Sequence, residues 1–211
     1  MANLAAVISA PKAPLEIHEV ELYAPSPDEI LVKNEVIAFN LVESKIAKLG
    51  VIPIDYPAIL GSAFGGTIEV VGSSVTKFQI GDRIVVSKAF GVKGNQYGAF
   101  QRYVVVGDIM VSKIPNGMDL AVPASLMMNL TSVVGLFSGR VGLEKPILNG
   151  FKLAKKSVKV LVYGGSSSFG GLSVQYLSQA GYTVTTTSSP KHHEFFSKLG
   201  GANVLDHTIE P

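Results

Sequence analysis

The sequence predicts an α/β protein whose first half forms a small β-barrel and whose second half begins a parallel, doubly wound sheet. Three observations carry this. The stretch from Lys159 to Pro190 reads as strand, glycine turn, helix and strand. The residues before about Asp119 form short apolar runs punctuated by proline and glycine, the pattern of a meander closed by tight turns. From Pro123 the period lengthens to three and four residues, placing Leu126, Leu130, Val133, Val134 and Phe137 on one side of a helix. The domain boundary is set at that change, giving residues 1–122 and 123–211.

In chain order, Leu4 to Ile8, Leu15 to Val20 and Ile30 to Ala38 are expected strands, separated by Pro11, Pro14, Pro25 and Pro27. Leu41 to Leu49 is expected to be a short helix stopped by Gly50. Val51 to Ile59 reads as a proline-punctuated loop, and Gly65 to Val71 as a strand turning at Gly72. Phe78 to Ser87 reads as turn and strand, Gly91 to Gly98 as a glycine-rich loop, and Phe100 to Val106 as a further strand. Val160 to Tyr163 is apolar enough for a parallel strand buried on both faces. Leu172, Tyr176, Leu177 and Ala180 then mark one helical face ended by Gly181, and Thr183 to Thr187 is again strand-like.

Composition removes several classes of function. The formal charge is +2 over 211 residues with Lys and Arg scattered, so no basic stripe for nucleic acid exists. The Lys152, Lys155, Lys156, Lys159 cluster reads as a solvated connector. No apolar run approaches the length needed to span a bilayer, and the cytoplasm is the expected compartment. With no cysteine there is neither a disulfide nor a thiolate metal site, and His192 and His193, being adjacent, diverge on a helix. No metal site is expected.

The strongest functional signal is the glycine turn. A strand that passes through glycines into a helix aims free amides and the positive helix end at one point, which suits a pyrophosphate. The G-x-G-x-x-G places hold Gly165, Ser167 and Gly170, so the middle glycine is replaced. Ser166, Ser167 and Ser168 put three hydroxyls at the turn, in a loop with little other use for them, and Phe169 opens the helix. About twenty residues on, an acid would grip the ribose hydroxyls of NAD. Here the sequence reads Ser188-Ser189-Pro190-Lys191-His192, with no carboxylate until Glu194, which favours the 2′-phosphate of NADP(H). A serine-capped helix start would produce the same residues.

Three segments together resemble the medium-chain dehydrogenase/reductase superfamily, in particular its zinc-free branch of quinone oxidoreductases and fungal trans-enoyl reductases. They are YPAILGSAFGGTIEVVGSSVTKFQIGDRIV from Tyr56 to Val85, FNLVESK from Phe39 to Lys45, and GGSSSFG followed by SSPK. The middle one is similar to the family's N-P-x-D-x-K, keeping Asn40 and Lys45 while Leu41 and Glu43 replace proline and aspartate. The resemblance implies a GroES-like barrel domain followed by the first half of a Rossmann sheet in strand order 3-2-1, and it runs the length of the chain. It also implies that the chain lacks the family's C-terminal part, which would leave the edge of Val160 to Tyr163 open to self-association.

The resemblance further implies hydride transfer from a nicotinamide to an enone or a quinone, both small molecules. Where zinc-dependent relatives carry G-H-E this chain has Gly61-Ser62-Ala63, which cannot ligate zinc. Lys45 is then the candidate for enolate stabilisation or protonation, or else a solvated lysine. Asn40 is a candidate for positioning nicotinamide or substrate, or else caps a turn. Thr131 stands where the family's threonine contacts the nicotinamide, and His207 replaces a tyrosine beside the adenosine. Three functions are compatible with these residues: a zinc-free NADPH-dependent reductase, an inactive NADP-binding remnant, and an interaction protein reusing the fold.

Overall fold

The structure is a computed structural model describing residues 2–89, 91–148, 154–200 and 203–209. It divides into two compact units, Met1–Met128 and Asn129–Pro211.

The first unit is built from antiparallel strands: β1 (Asn3–Ile8), β2 (Leu15–Val20), β3 (Glu29–Ala38), β4 (Ala58–Ile59), β5 (Ala63–Val71), β6 (Arg83–Ser87), β7 (Tyr103–Gly107) and β8 (Val111–Lys113). Five of them order as β7-β3-β5-β6-β8 and three as β2-β1-β4. β8 follows β7 through a turn at residues 108–110 and pairs with β6, Val111 opposite Val86. This wraps the sheet around Ile30, Val32, Phe64, Ile68, Ile84, Val86 and Val104, all at most 2% exposed. Burying each such side chain contributes about 1.5–3 kcal/mol. The small sheet is tied on through Asn3, whose amide nitrogen donates to Gln101 Oε1 (3.0 Å) while its Oδ1 accepts from the Tyr103 amide (3.0 Å).

The short helix α1 (Leu41–Leu49) ends where expected, at Gly50 with φ +64, whose amide donates to Ile46 O (3.0 Å). β4 lies within the stretch expected to be loop, paired to β1 through Val7–Ile59 and Ile8–Ala58. Its two residues are too few to show a strand period in sequence.

Helix α2 (Ala121–Val134) continues into a π-helical turn, Gly135–Arg140. The apolar side differs from the expected one: Leu126 and Leu130 are each 38% exposed, whereas Ala124, Met127 and Met128 pack with Ala38, Ala63 and Val85. Further along, Val133, Val134 and Phe137 join a different cluster. One helix serving two cores carries apolar residues on more than one side, which blurs a single-stripe reading. The same residues make Ala121–Arg140 long and apolar enough to cross a membrane by length and composition. Expecting no such reach failed because helical continuity, not an unbroken apolar run, supplies the length.

The second unit holds β9 (Lys159–Val162), α3 (Ser168–Gln179), β10 (Thr183–Ser188), α4 (His193–Lys198) and β11 (Asn203–Asp206). Its strands are parallel in the order β11-β10-β9, the 3-2-1 order of a doubly wound half-sheet. Its core gathers Val162, Val174, Tyr176, Leu177, Ala180, Tyr182, Val184 and Phe196. β9 is buried on one face only: Val162 is 7% exposed, but Leu161 is 62% and Tyr163 81% exposed. The expectation of two buried faces fails because, among the described residues, nothing covers that side.

The lysine cluster is also not wholly solvated. Lys152 lies outside the described residues, and Lys155 and Lys159 are exposed. Lys156, however, pairs with Glu144 (2.5 Å) and sits over the Tyr182 ring, 5.0 Å from its centroid.

Candidate functional site: the glycine turn and the end of β10

Between β9 and α3 the chain must reverse in a few residues while bringing the helix against the strand. Gly164 adopts φ +76, a left-handed conformation that favours glycine. A Cβ on Gly170 would lie 2.3 Å from Gly164 O, so the helix reaches the turn only without a side chain there. On Gly165 it would lie 2.2 Å from Thr186 Oγ1 and 2.9 Å from the Phe196 ring. The middle fingerprint place needs no such freedom, because Ser167 has φ −76.

Ser167 is instead the helix cap. Its Oγ accepts from the Gly170 amide (3.0 Å) and donates to Gly164 O (2.9 Å). This corrects the expectation that the loop has little use for its hydroxyls: one of the three is spent holding the turn. Ser166 and Ser168 are exposed. The amides of Ser168 and Phe169, in the first turn of α3, have no intrahelical acceptor and point outward from the helix start.

The end of β10 locks the turn from below. The Gly164 amide donates to Thr187 Oγ1 (2.8 Å), the Gly165 amide to Thr187 O (3.0 Å), and Thr186 Oγ1 donates to Val162 O (2.8 Å). Two residues beyond Thr186 on the same strand face lies Ser188, 2% exposed, whose hydroxyl has no hydrogen-bond partner among the described residues. A buried, unpaired hydroxyl is a cost that a bound group can relieve. Ser189 then leads into a tight turn, residues 190–192, that carries Lys191, exposed, and His192, half-buried.

The structure thus brings together Gly165, Ser166, Ser167, Ser168, Phe169 and Gly170 with Ser188, Ser189, Lys191 and His192 at one end of the parallel sheet. β11 adds what the linear sequence hid. Asp206 is the register partner of Ser188, so a carboxylate stands nearer this strand end in space than the sequence distance to Glu194 suggested. Its Oδ1 accepts from the Thr208 hydroxyl (2.7 Å) and amide (2.9 Å), which hold it below the usual carboxylate range. His207 follows it, exposed. Thr131 is half-buried on α2 in the same unit.

Asn40 and Lys45 stand on the barrel unit. Asn40 is the N-cap of α1: its backbone amide donates to Glu43 Oε2 (2.6 Å), and its Nδ2 to Ala38 O (3.3 Å). Glu43, 4% exposed, is therefore the residue that fixes the helix start. Its signal in the sequence is the N-x-x-E spacing of a capping box. Lys45 is exposed on α1. Among the described residues no group of three or more His, Cys, Asp or Glu is placed to hold a metal.

A small antiparallel barrel is followed by a parallel βαβαβ unit with a glycine turn at the carboxyl end of its first strand, the place where open α/β sheets bind ligands. Residues 26–116 match the alcohol dehydrogenase GroES-like domain. The chain is 36% identical over 215 residues to Dehydrogenase pigH of Monascus ruber, covering 97% of this chain and 58% of that one. It is 30% identical over 209 residues to Trans-enoyl reductase tazE of Aspergillus terreus, covering 96% and 68%. Among solved structures, Escherichia coli quinone oxidoreductase complexed with NADPH superimposes with a TM-score of 0.73 at 18% identity, over 100% of this chain and 60% of that one. The chain belongs to the medium-chain dehydrogenase/reductase superfamily, in its zinc-free branch. It spans about three fifths of the length of the first curated relatives that it matches.

Proposed function

We propose that the protein is a zinc-independent, NADPH-dependent reductase acting on an activated C=C bond of an enoyl or enone substrate, or on a quinone. The observation that carries the cofactor reading is the end of β10, where the buried unpaired Ser188 hydroxyl adjoins Ser189 and the Lys191 cation. The residues fit a dinucleotide: the missing side chains at Gly165 and Gly170 let α3 pack directly against the turn and the strand ends, which sets the first-turn amides of α3 at the turn where a pyrophosphate would sit. In this reading Gly165, Ser166, Ser168, Phe169 and Gly170 receive the pyrophosphate. Ser188, Ser189, Lys191 and His192 hold the adenosine ribose and its 2′-phosphate, and His207 and Thr131 contact adenosine and nicotinamide. Each charge-assisted hydrogen bond to the phosphate contributes about 1.5–3 kcal/mol.

When bound, NADPH supplies a hydride for the β-carbon of a conjugated carbonyl. Lys45, the residue that the family motif assigns to this role, would offer its ammonium to the oxygen on which negative charge develops and could supply the proton. Asn40 would position nicotinamide or substrate through its side-chain amide, because its backbone amide is taken up by Glu43. With Gly61-Ser62-Ala63 at the turn where zinc enzymes place ligands, charge stabilisation falls to such side-chain donors.

A second reading, an NADP-binding protein without turnover, is favoured by one observation: the Asn40 backbone and side-chain amides are engaged with Glu43 and Ala38 and Lys45 is exposed, so neither candidate catalytic residue is held ready for chemistry by its surroundings. Calorimetric titration with NADPH and NADH, followed by steady-state NADPH oxidation with an enone and with a quinone, separates the readings. NADPH binding at least tenfold tighter than NADH together with turnover supports the reductase. Binding without turnover supports the second reading, and equal affinity for the two cofactors removes the NADP assignment.

A further inference from the structure

A cavity of about 240 Å³ opens at the mouth of the barrel, beneath the loop that follows β6 and beside the turn at residues 108–110. Its wall is mostly apolar, including Phe64, Val86, Val92, Val105, Ile109 and Met110, and it contains Lys88 and Ser62. The register shows how these two meet. Phe64 pairs with Val86, and the Lys88 amide donates to Ser62 O (2.7 Å), so Ser62 and Lys88 are the next cross-strand neighbours on the face of Phe64 and Val86. That face is the barrel interior, opposite the one where Ala63 and Val85 pack on α2.

Lys88 is half-buried, forms no ion pair among the described residues, and has its amine pushed down by burial alone. A cation taken out of water without a partner is a cost, and the backbone that carries it is held by the Lys88 amide bond to Ser62 O (2.7 Å). The cavity's other rim carries Asp28 and Glu29. Glu29 is engaged elsewhere: its Oε2 accepts from the Ser26 amide (2.9 Å) and its Oε1 from the Tyr97 hydroxyl (2.7 Å). Asp28 is exposed.

We propose that the barrel mouth binds a small monocarboxylate with a short apolar chain, its carboxylate held by the Lys88 ammonium and the Ser62 hydroxyl and its chain lying against Phe64, Val86, Val92 and Ile109. A single cation and a hydroxyl match one carboxylate, whereas a phosphate dianion would bury more charge than these donors satisfy. The volume lies below the ~300 Å³ at which sites for drug-sized ligands begin, which restricts the ligand to a short chain. Because the carboxylate stabilises the charged amine, binding raises the Lys88 pKa and takes up a proton at pH values where the free amine is partly neutral.

The test is an NMR titration of the full chain with hexanoate and, separately, hexan-1-ol. Hexanoate should shift the resonances of Ser62, Lys88, Val92 and Ile109 and bind at least tenfold more tightly than hexan-1-ol. Lys88→Met should weaken hexanoate at least tenfold while keeping or raising Tm, since it removes a desolvated charge, and Lys88→Arg should retain binding. Equal affinities for acid and alcohol, shifts confined to other residues, or unchanged hexanoate binding in Lys88→Met would each overturn the proposal. NADPH affinity is read in the same samples and should not follow Lys88, so the result stands apart from the cofactor reading.

Discussion

The barrel and the parallel-sheet unit solve the same problem differently. The barrel wraps five antiparallel strands around its core and seats β8 back on β6, so its largest side chains are almost fully enclosed. The sheet unit covers one face with α3 and α4 but leaves Leu161 and Tyr163 of the other exposed, and β9 pairs with β10 alone among the described residues. The difference teaches where rigidity and chemistry sit. The enclosed unit should be the more stable of the two, and the unit carrying the glycine turn is held by a handful of hydrogen bonds between β9, the turn and β10.

The largest way to widen that contrast is Gly170→Val. A side chain there meets the Gly164 carbonyl and the Gly165 backbone, which cannot give way as a flexible side chain would. NADPH binding should fall by at least a hundredfold, and hydrogen exchange should rise throughout the sheet unit while the barrel strands keep their protection. Accelerated exchange in β3 and β5 would show that the two units are not separately stable.

Thr187→Val removes the acceptor for the Gly164 amide while preserving shape. It should destabilise the sheet unit by about 1–3 kcal/mol, the usual cost of an unsatisfied buried donor, with no loss in a barrel-specific probe. Lys191→Ala acts on function without touching the core. It should erase most of the preference for NADPH over NADH and leave NADH affinity and Tm unchanged, as calorimetry can check. On the barrel side, Glu43→Ala should cost about 0.5–2 kcal/mol by uncapping α1, measured by denaturant unfolding, while cofactor binding stays as it was.

The smallest expected effect is that of pH. In the barrel, the hydrogen bond from Lys113 holds the Asp82 carboxyl below its ordinary value, aided by the Gln79 amide and the lysine charge. In the sheet unit, the Thr208 hydroxyl and amide do the same for Asp206. A carboxyl whose folded pKa is lowered contributes stability that is present above its unfolded pKa and is lost as pH falls through the folded value. Both units should therefore weaken modestly below the ordinary carboxylate range, with the pairs at the surface limiting the effect. Stability that rises on acidification would contradict this assignment.

Much of this arrangement was legible in the residues. β2 and α1 follow from an apolar run bounded by prolines and from Gly50, and the order of the parallel strands is the one that the family resemblance implied. The turn was legible as a turn, because glycines between a β-branched run and a helical face leave few alternatives. What stayed hidden needed contacts between distant segments. Ser167 reads as a spare hydroxyl until its bond to the Gly170 amide is seen, and Asp206 reads as remote from Ser188 until β11 pairs with β10. The apolar side of α2 was misplaced because that helix packs first with the barrel residues and then with the sheet core. Lys88 gave no sequence signal at all, since a lysine at the end of a strand ordinarily reaches water.

On the proposed reading, the β9–α3 turn and the end of β10 form one site for a 2′-phosphorylated dinucleotide. Hydrogen exchange of the full chain with saturating NADPH, compared with saturating NADH, tests it most directly. Both cofactors should protect residues 164–170, and NADPH should further protect residues 187–192. Identical protection by both cofactors at 187–192, or protection that leaves 164–170 unchanged, would contradict it.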